Sequence, residues 1–106
     1  MMIFAIRKSL PNLILPFMKS IRIIVHGMVQ GVFFRKHTQE KAIELSINGS
    51  VRNCSDGTVE IEAEGNEESI QKFIAWCNHG PSRAKVTHID MHEQGLKNYS
   101  VFAVMR

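Results

Sequence analysis

The chain has 106 residues, which is enough for one compact domain and too few for two of ordinary size. Hydrophobic residues make up 44% and charged residues 22%, a balance that argues against extensive disorder. No apolar run approaches the roughly 18 residues that a membrane-spanning helix needs. The formal net charge is +3. Two of the 13 basic residues, Arg7 and Lys8, lie in the first 17 residues, which contain no acidic residue. The remaining 11 basic and 10 acidic residues do not predict a nucleic-acid-binding surface.

Two cysteines, Cys54 and Cys77, are too few for a disulfide framework and lack zinc-type spacing. We interpret them as reduced thiols of a cytoplasmic protein. The sequence predicts no metal site and no cofactor, because none of the five histidines has ligand spacing with a cysteine; these are His26, His37, His79, His88 and His92.

The first 17 residues differ from the rest of the chain. They are apolar, but charged residues and two prolines interrupt them, so neither helical nor strand periodicity is sustained. A secretory signal fits poorly, since charge splits the apolar stretch and no Ala-x-Ala site follows. We predict a poorly ordered extension over residues 1–18 and one domain over residues 19–106. A membrane-surface anchor is the alternative interpretation of the extension.

A strand and a helix, separated by a glycine-containing loop, are predicted first. Residues 21–26 are rich in β-branched side chains, which is typical of a mostly buried strand. After the loop at residues 27–32, helical spacing begins, and Asn48-Gly49 is predicted to end the helix. The face of this helix directed toward the core is predicted to carry Phe34, Thr38, Ala42 and Leu45.

A hairpin and a second helix follow. Residues 50–54 and 58–64 flank Asp56-Gly57, a pair that favours a tight turn. The second arm alternates strictly, so its glutamates are predicted to form a solvated sheet face; these are Glu60, Glu62 and Glu64. Asn66 is predicted to cap a helix with the apolar stripe Ile70, Phe73, Ile74 and Cys77.

Strands at residues 86–91 and 99–105 complete the predicted elements. The order β-α-β-β-α-β plus a C-terminal strand predicts an α+β, ferredoxin-like fold. This is a two-layer sandwich with two helices on one face of a mainly antiparallel sheet. Such folds serve many functions, so the architecture alone assigns none.

The loop between the first strand and the first helix carries the chemical information. It reads Gly27-Met28-Val29-Gln30-Gly31-Val32-Phe33-Phe34-Arg35. Its two glycines allow it to curl, so that unpaired N–H groups at the helix start converge on an anion. Arg35 can add a guanidinium that binds two phosphate oxygens at once. The pattern predicts a phosphate-binding loop, although a plain structural turn with a surface arginine explains it equally well.

Two nucleotide- and phosphate-related loops do not fit these residues. A Walker A loop needs Lys followed by Ser or Thr after its last glycine, but Val32-Phe33 follows Gly31. A cysteine-dependent phosphatase loop needs its nucleophile six residues before the arginine, where Val29 stands. The loop therefore holds no nucleophile of its own.

Two motifs of the chain resemble those of the acylphosphatase family. The loop fits the family pattern Gly-x-Val-Gln-Gly-Val-x-Phe-Arg. Residues 49–59 fit a second pattern, Gly-x-Val-x-Asn-x-x-x-Gly-x-Val. Gly80-Pro81 and the Tyr99-Ser100-x-Phe102 segment are also similar, so the resemblance extends over about residues 19–106.

The resemblance implies a small, metal-independent hydrolase that splits the carboxyl-phosphate bond of acyl phosphates into carboxylate and inorganic phosphate. It implies that Arg35 and the loop N–H groups bind the phosphate and that Asn53 positions the attacking water. The loop residues concerned are Met28, Val29, Gln30, Gly31, Val32, Phe33 and Phe34. We expect a cytoplasmic monomer with a small-molecule substrate, inorganic phosphate as product, and neither a nucleic-acid nor a membrane partner.

Two residues depart from what is common in the family. Met28 stands where Arg or Lys is frequent, so the rate of encounter with an anionic substrate or the affinity for it is expected to be lower. Ser50 stands where Trp is common, which we interpret as a change in packing. His26 beside the loop could act as a general base, but a histidine at a strand end is more often structural.

Two other functional classes share the predicted fold. RNA-recognition domains stack bases on aromatic residues of the first and third strands. The first strand here has no aromatic residue and the third carries the glutamate row, which would repel RNA. A regulatory domain that binds a small anion in the same loop without hydrolysing it is the alternative that the sequence leaves open.

Overall fold

The computed structural model describes residues 18–106, which form five strands and two helices. The order of these elements is the predicted one. Residues 1–17, which make up nearly all of the predicted extension, lie outside the described residues. The strands are β1 (Met18–Met28), β2 (Asn48–Asn53), β3 (Val59–Asn66), β4 (Lys85–Gln94) and β5 (Phe102–Val104), and the helices are α1 (Phe34–Glu44) and α2 (Glu67–Cys77).

The strands form one sheet in the order β4-β1-β3-β2-β5. All neighbouring strands are antiparallel except β2 and β5, which are parallel. Apolar residues at alternate positions of β1 and β3 lie in the core, and both helices pack their apolar sides onto that face of the sheet. These residues are Ile21, Ile23, Val25, Val59, Ile61 and Ala63. The α+β, ferredoxin-like prediction is confirmed. Within residues 18–106, neither helix is long and apolar enough to cross a membrane.

The second helix follows its sequence signals closely. The side-chain oxygen of Asn66 accepts a hydrogen bond of 2.8 Å from the backbone N–H of Ser69, as a capping residue does. The buried side chains of this helix are those of Ile70, Phe73 and Cys77. Burial also raises the pKa of the Cys77 thiol, so this cysteine is a packing residue.

Several predicted boundaries differ from the observed ones, and those of α1 and β5 have an identifiable cause. Helix α1 ends before Ser46, which adopts a left-handed conformation with φ of 59°, and Asn48-Gly49 already belongs to β2. Strand β5 is shorter than predicted: it begins at Phe102, and residues 99–101 do not belong to it. The backbone N–H of Tyr99 instead donates to a carboxylate of β3, which holds this segment across the sheet face.

The prediction that the glutamates of β3 are solvated is wrong for two of the three. Glu60 is only 7% exposed and Glu64 only 5%. Arg22 and Arg52, from the strands on either side of β3, both pair with Glu60. Glu64 accepts hydrogen bonds from the backbone N–H groups of residues 97–99. The alternation is as predicted, but long side chains and a loop cover the carboxylates.

The third glutamate makes the stability of the protein depend on pH. The Tyr99 hydroxyl, Lys97 Nζ and Gln94 Nε2 all donate to Glu62, and together they lower the pKa of its carboxyl to about 2 against the opposing effect of burial. A lowered pKa in the folded state adds stability that is complete above the unfolded value of 4.5 and is lost as the pH falls through 2.

We therefore expect the free energy of unfolding in urea to fall between about pH 5 and about pH 2, and to fall less in a Glu62→Gln variant, which lacks this titration. Glu68→Gln removes a carboxylate whose side chain is 83% exposed and serves as the matched control. An equal pH dependence in Glu62→Gln and the wild type would contradict this prediction.

Candidate active site

The loop between β1 and α1 is shaped by two glycines with positive φ. Gly27 has φ of 130°, and a Cβ placed there would lie 2.0 Å from the backbone oxygen of Lys85 in β4. The register between β1 and β4 shifts at His26 and Gly27, which turns the chain away from the sheet. Gly31 has φ of 74°, a conformation that a side chain would strain. Both glycines of the loop therefore have the positive φ that a curled loop requires.

Helix α1 begins without a side-chain cap. Phe33 occupies the capping position in a left-handed conformation, with φ of 61° and ψ of 25°. No side chain of the described residues caps the helix, and its first turn contains no acidic residue. The first helical bond along the chain runs from His37 N to Phe33 O at 3.1 Å. The N–H groups before it therefore suit an anion from outside the chain.

Arg35 and Asn53 line one cleft of about 540 Å³. Arg35 comes from the first turn of α1, and Asn53 is the last residue of β2. Three cationic side chains and no acidic side chain are among the described residues that line the cleft, which favours an anionic ligand. The full lining is Val29, Gly31, Phe33, Phe34, Arg35, Lys36, Gln39, Asn53, Val104 and Arg106.

Three of the seven predicted loop residues do not line the cleft; these are Met28, Gln30 and Val32. Met28 is 69% exposed at the end of β1, and Val32 packs against the core. Gln30 points its amide at the β2–β3 hairpin, where Nε2 donates to the backbone oxygens of Cys54 and Thr58, each at 2.8 Å. Its side chain thus ties the loop to the turn that follows Asn53.

The guanidinium of Arg35 is oriented by the chain segment after β5. Its Nη1 donates to the backbone oxygen of Met105 at 2.8 Å. Gln39, one turn further along α1, donates from Nε2 to the backbone oxygen of Phe102 at 2.9 Å. Sequence reasoning missed the lining residues Lys36, Gln39, Val104 and Arg106. Helical spacing from Arg35 could have indicated Gln39, four residues further on, but not Lys36, the next residue in the chain. Val104 and Arg106 arrive only through the pairing of β5 with β2.

His26 is not among the residues that line this cleft. Its Nε2 lies 2.9 Å from Asp90 Oδ2, and its ring stacks on that of His88 with centroids 4.0 Å apart. These contacts support the structural interpretation of His26 over the general-base alternative.

We expect replacement of Gln30 with alanine to lower the free energy of unfolding by about 1–3 kcal/mol, because two hydrogen bonds are lost. Since the anchored turn follows Asn53, phosphate affinity should fall as well. Urea unfolding and phosphate titration measure the two effects. Gln71→Ala, at an exposed position of α2, is the control, and equal stability of the two variants would contradict the anchoring role of Gln30.

The family model of acylphosphatases matches residues 21–104. A protein named acylphosphatase from Methylococcus capsulatus is 44% identical over 90 residues, which cover 84% of this chain and 98% of that protein. Another, from Syntrophus aciditrophicus, is 46% identical over 77 residues, covering 73% of this chain and 80% of that protein.

Two solved structures of proteins named acylphosphatase resemble this chain over nearly their whole length. An acylphosphatase from Coxiella burnetii superposes with a TM-score of 0.82 at 39% identity, covering 85% of this chain and 95% of that one. Acylphosphatase from Bacillus subtilis gives a TM-score of 0.81, also at 39% identity, covering 83% of this chain and 99% of that one.

Proposed function

The chain belongs to the acylphosphatase family, and we propose that Arg35, Asn53 and the backbone of residues 28–34 catalyse its reaction. That reaction is the hydrolysis of the carboxyl-phosphate bond of an acyl phosphate, which yields a carboxylate and inorganic phosphate. A non-catalytic anion-binding domain is not supported, since the relatives from Methylococcus capsulatus, Syntrophus aciditrophicus and Bacillus subtilis, most of whose own length this chain covers, are named acylphosphatases.

The uncapped start of α1 is the observation that carries the assignment of the site. The free N–H groups in the first turn of a helix are commonly bonded by the side-chain oxygen of a Ser, Thr, Asp or Asn at the capping position, and Phe33 has no such oxygen. A phosphate group seated in the curled loop would supply the missing acceptors and would lie at the positive end of the helix dipole. The alternating positive φ values at Gly31 and Phe33 suit such a nest of N–H groups.

Arg35 supplies the charge that the loop backbone lacks. One of its N–H groups is held by the Met105 carbonyl, which leaves the others for two phosphate oxygens. Lys36 and Arg106 line the same cleft and add positive potential. These two cations offset the absence of a basic residue at Met28, so we expect the effect of that departure on substrate encounter to be small.

The chemical step needs few groups because the leaving group is good. The oxygen of a water molecule attacks phosphorus, and the bond from phosphorus to the carboxyl oxygen breaks with its electron pair going to the carboxylate. A carboxylate, whose conjugate acid has a pKa of about 4, leaves without a general acid. Asn53 orients the water through its side-chain amide, and a phosphate oxygen takes the proton that the water loses. Charge that spreads over the phosphoryl oxygens is stabilised by Arg35 and the loop N–H groups.

We further propose that the protein works as a cytoplasmic monomer with neither a nucleic-acid nor a membrane partner. Its two cysteines are free thiols, which suits a reducing compartment. The sheet face on which an RNA-recognition domain would stack bases carries the glutamates of β3 instead.

The proposal is tested by hydrolysis of benzoyl phosphate and of p-nitrophenyl phosphate, each with and without EDTA. We expect rapid loss of benzoyl phosphate that the chelator does not change, and little loss of p-nitrophenyl phosphate, whose leaving group is more basic. Binding of phosphate without turnover of benzoyl phosphate would identify a regulatory domain. Turnover that EDTA abolishes would contradict metal-independent hydrolysis.

A further inference from the structure

Strands β1 and β4 bring three metal-ligating side chains together, on the face of the sheet away from the helices. His26 and His88 are direct cross-strand partners, and Asp90 lies two residues further along β4. Side chains alternate along a strand, so His26 faces away from the core that contains its neighbour Val25. Spacing along the chain does not reveal this group, because 64 residues separate His26 from Asp90.

The donor atoms of this group are available and close together. One ligand atom from each residue lies within 4.8 Å of the other two. His26 Nε2 lies 2.9 Å from Asp90 Oδ2. His88 Nδ1 lies 3.3 Å from Thr87 Oγ1, so the other ring nitrogen of His88, Nε2, can bind an ion. Ligand atoms around a tetrahedral zinc ion with bonds of about 2.0–2.1 Å are roughly 3.4 Å apart. The spacing of up to 4.8 Å between donor atoms is larger than this, and rotation of the exposed His88 and Asp90 side chains can reduce it.

We propose that His26, His88 and Asp90 form a surface binding site for a divalent transition metal ion of the Zn²⁺ type. Two imidazoles and one carboxylate are the donors that such an ion prefers, and water completes its coordination. Mg²⁺ and Ca²⁺ require mainly oxygen ligands and are not expected to bind. None of the three residues lines the cleft of the candidate active site, so the ion takes no part in hydrolysis.

The position of the site gives the ion a structural effect. Strand β4 is at the edge of the sheet, and His26 directly precedes the register shift from which the phosphate-binding loop departs. An ion held by β1 and β4 together would link the edge strand to the base of that loop. Since the three ligands meet only in the folded protein, binding should stabilise the fold.

Titration of the full-length protein with Zn²⁺ tests this proposal. By calorimetry at about pH 7.5, where an ordinary imidazole is neutral, we expect one ion per chain and no heat with Mg²⁺. His88→Ala and Asp90→Asn should each weaken Zn²⁺ binding at least about tenfold. Residues 1–17 contain no His, Cys, Asp or Glu and so add no side-chain ligand of these types.

His92→Ala is the matched control, because His92 is also exposed on β4 and shares the face of His88 and Asp90 without belonging to the cluster. Zn²⁺ should raise the Tm of the wild type and of His92→Ala, but not that of His88→Ala or Asp90→Asn. Unchanged hydrolysis of benzoyl phosphate in these variants would show that they fold. No Zn²⁺ binding by the wild type, or equal binding by wild type, His88→Ala and Asp90→Asn, would overturn the proposal.

Discussion

Replacement of Arg35 with glutamine is expected to lower kcat/KM for benzoyl phosphate by about 10³–10⁵-fold, the range seen when a transition-state arginine is lost in phosphoryl transfer. Glutamine keeps a polar side chain of moderate length but removes the charge and the paired N–H groups. The loop backbone would still offer dipoles to the phosphate, yet dipoles alone do not neutralise the charge that develops on its oxygens. The loss should appear in kcat as well as in phosphate affinity.

The fold should tolerate the change at Arg35. The side chain is only partly buried, and its hydrogen bond to Met105 O is the one polar contact that it makes within the described residues. Lys36→Gln is the matched control, because it removes one positive charge from the adjacent position of the same cleft without removing a guanidinium. Steady-state kinetics and urea unfolding of both variants separate chemistry from stability. Equal activity of Arg35→Gln and Lys36→Gln would contradict a part for the Arg35 guanidinium in turnover.

The elements of the fold were predictable where local chemistry and burial agree. Asn66 caps α2 through its own side chain, and alternation along β3 places Val59 and Ile61 in the core. Errors arose where distant residues decide the outcome. The burial of Glu60 depends on arginines from two neighbouring strands, and residues 99–101 leave the strand conformation because Tyr99 bonds to carboxylates of β3. Periodicity within one segment contains no information about such partners.

The candidate site was predictable to the extent that its residues share one segment. The loop with Arg35 is continuous in sequence, and the family motif adds Asn53. The amide of Gln30 could not be placed beforehand, since its acceptors belong to the turn between β2 and β3. The same holds for the Met105 carbonyl, which orients Arg35, and for Arg106, which lines the cleft. Both follow β5 and are brought to this place by its parallel pairing with β2.

Replacement of Asn53 with alanine is expected to lower kcat by about 10²–10³-fold, the cost of removing one preorganised hydrogen-bonding group. Alanine keeps the end of β2 and its backbone pairing with Val59, but it cannot hold a water molecule near phosphorus. Because Asn53 is assigned to the water and not to the phosphate, KM and the inhibition constant of inorganic phosphate should change little. Replacement of Arg35 with glutamine should weaken phosphate binding, so Arg35→Gln and Asn53→Ala are expected to differ in their affinity for phosphate.

The matched control for Asn53 lies at the other end of the same strand. Asn48 begins β2 and donates from Nδ2 to the backbone oxygen of Tyr99 at 3.0 Å, away from the residues that line the cleft. Asn48→Ala should lose some stability and keep its kcat, whereas Asn53→Ala should keep its stability and lose kcat. A near-normal kcat in Asn53→Ala would transfer the orientation of water to another group. His26 does not fit that role without moving, since its ring is engaged with Asp90 and His88.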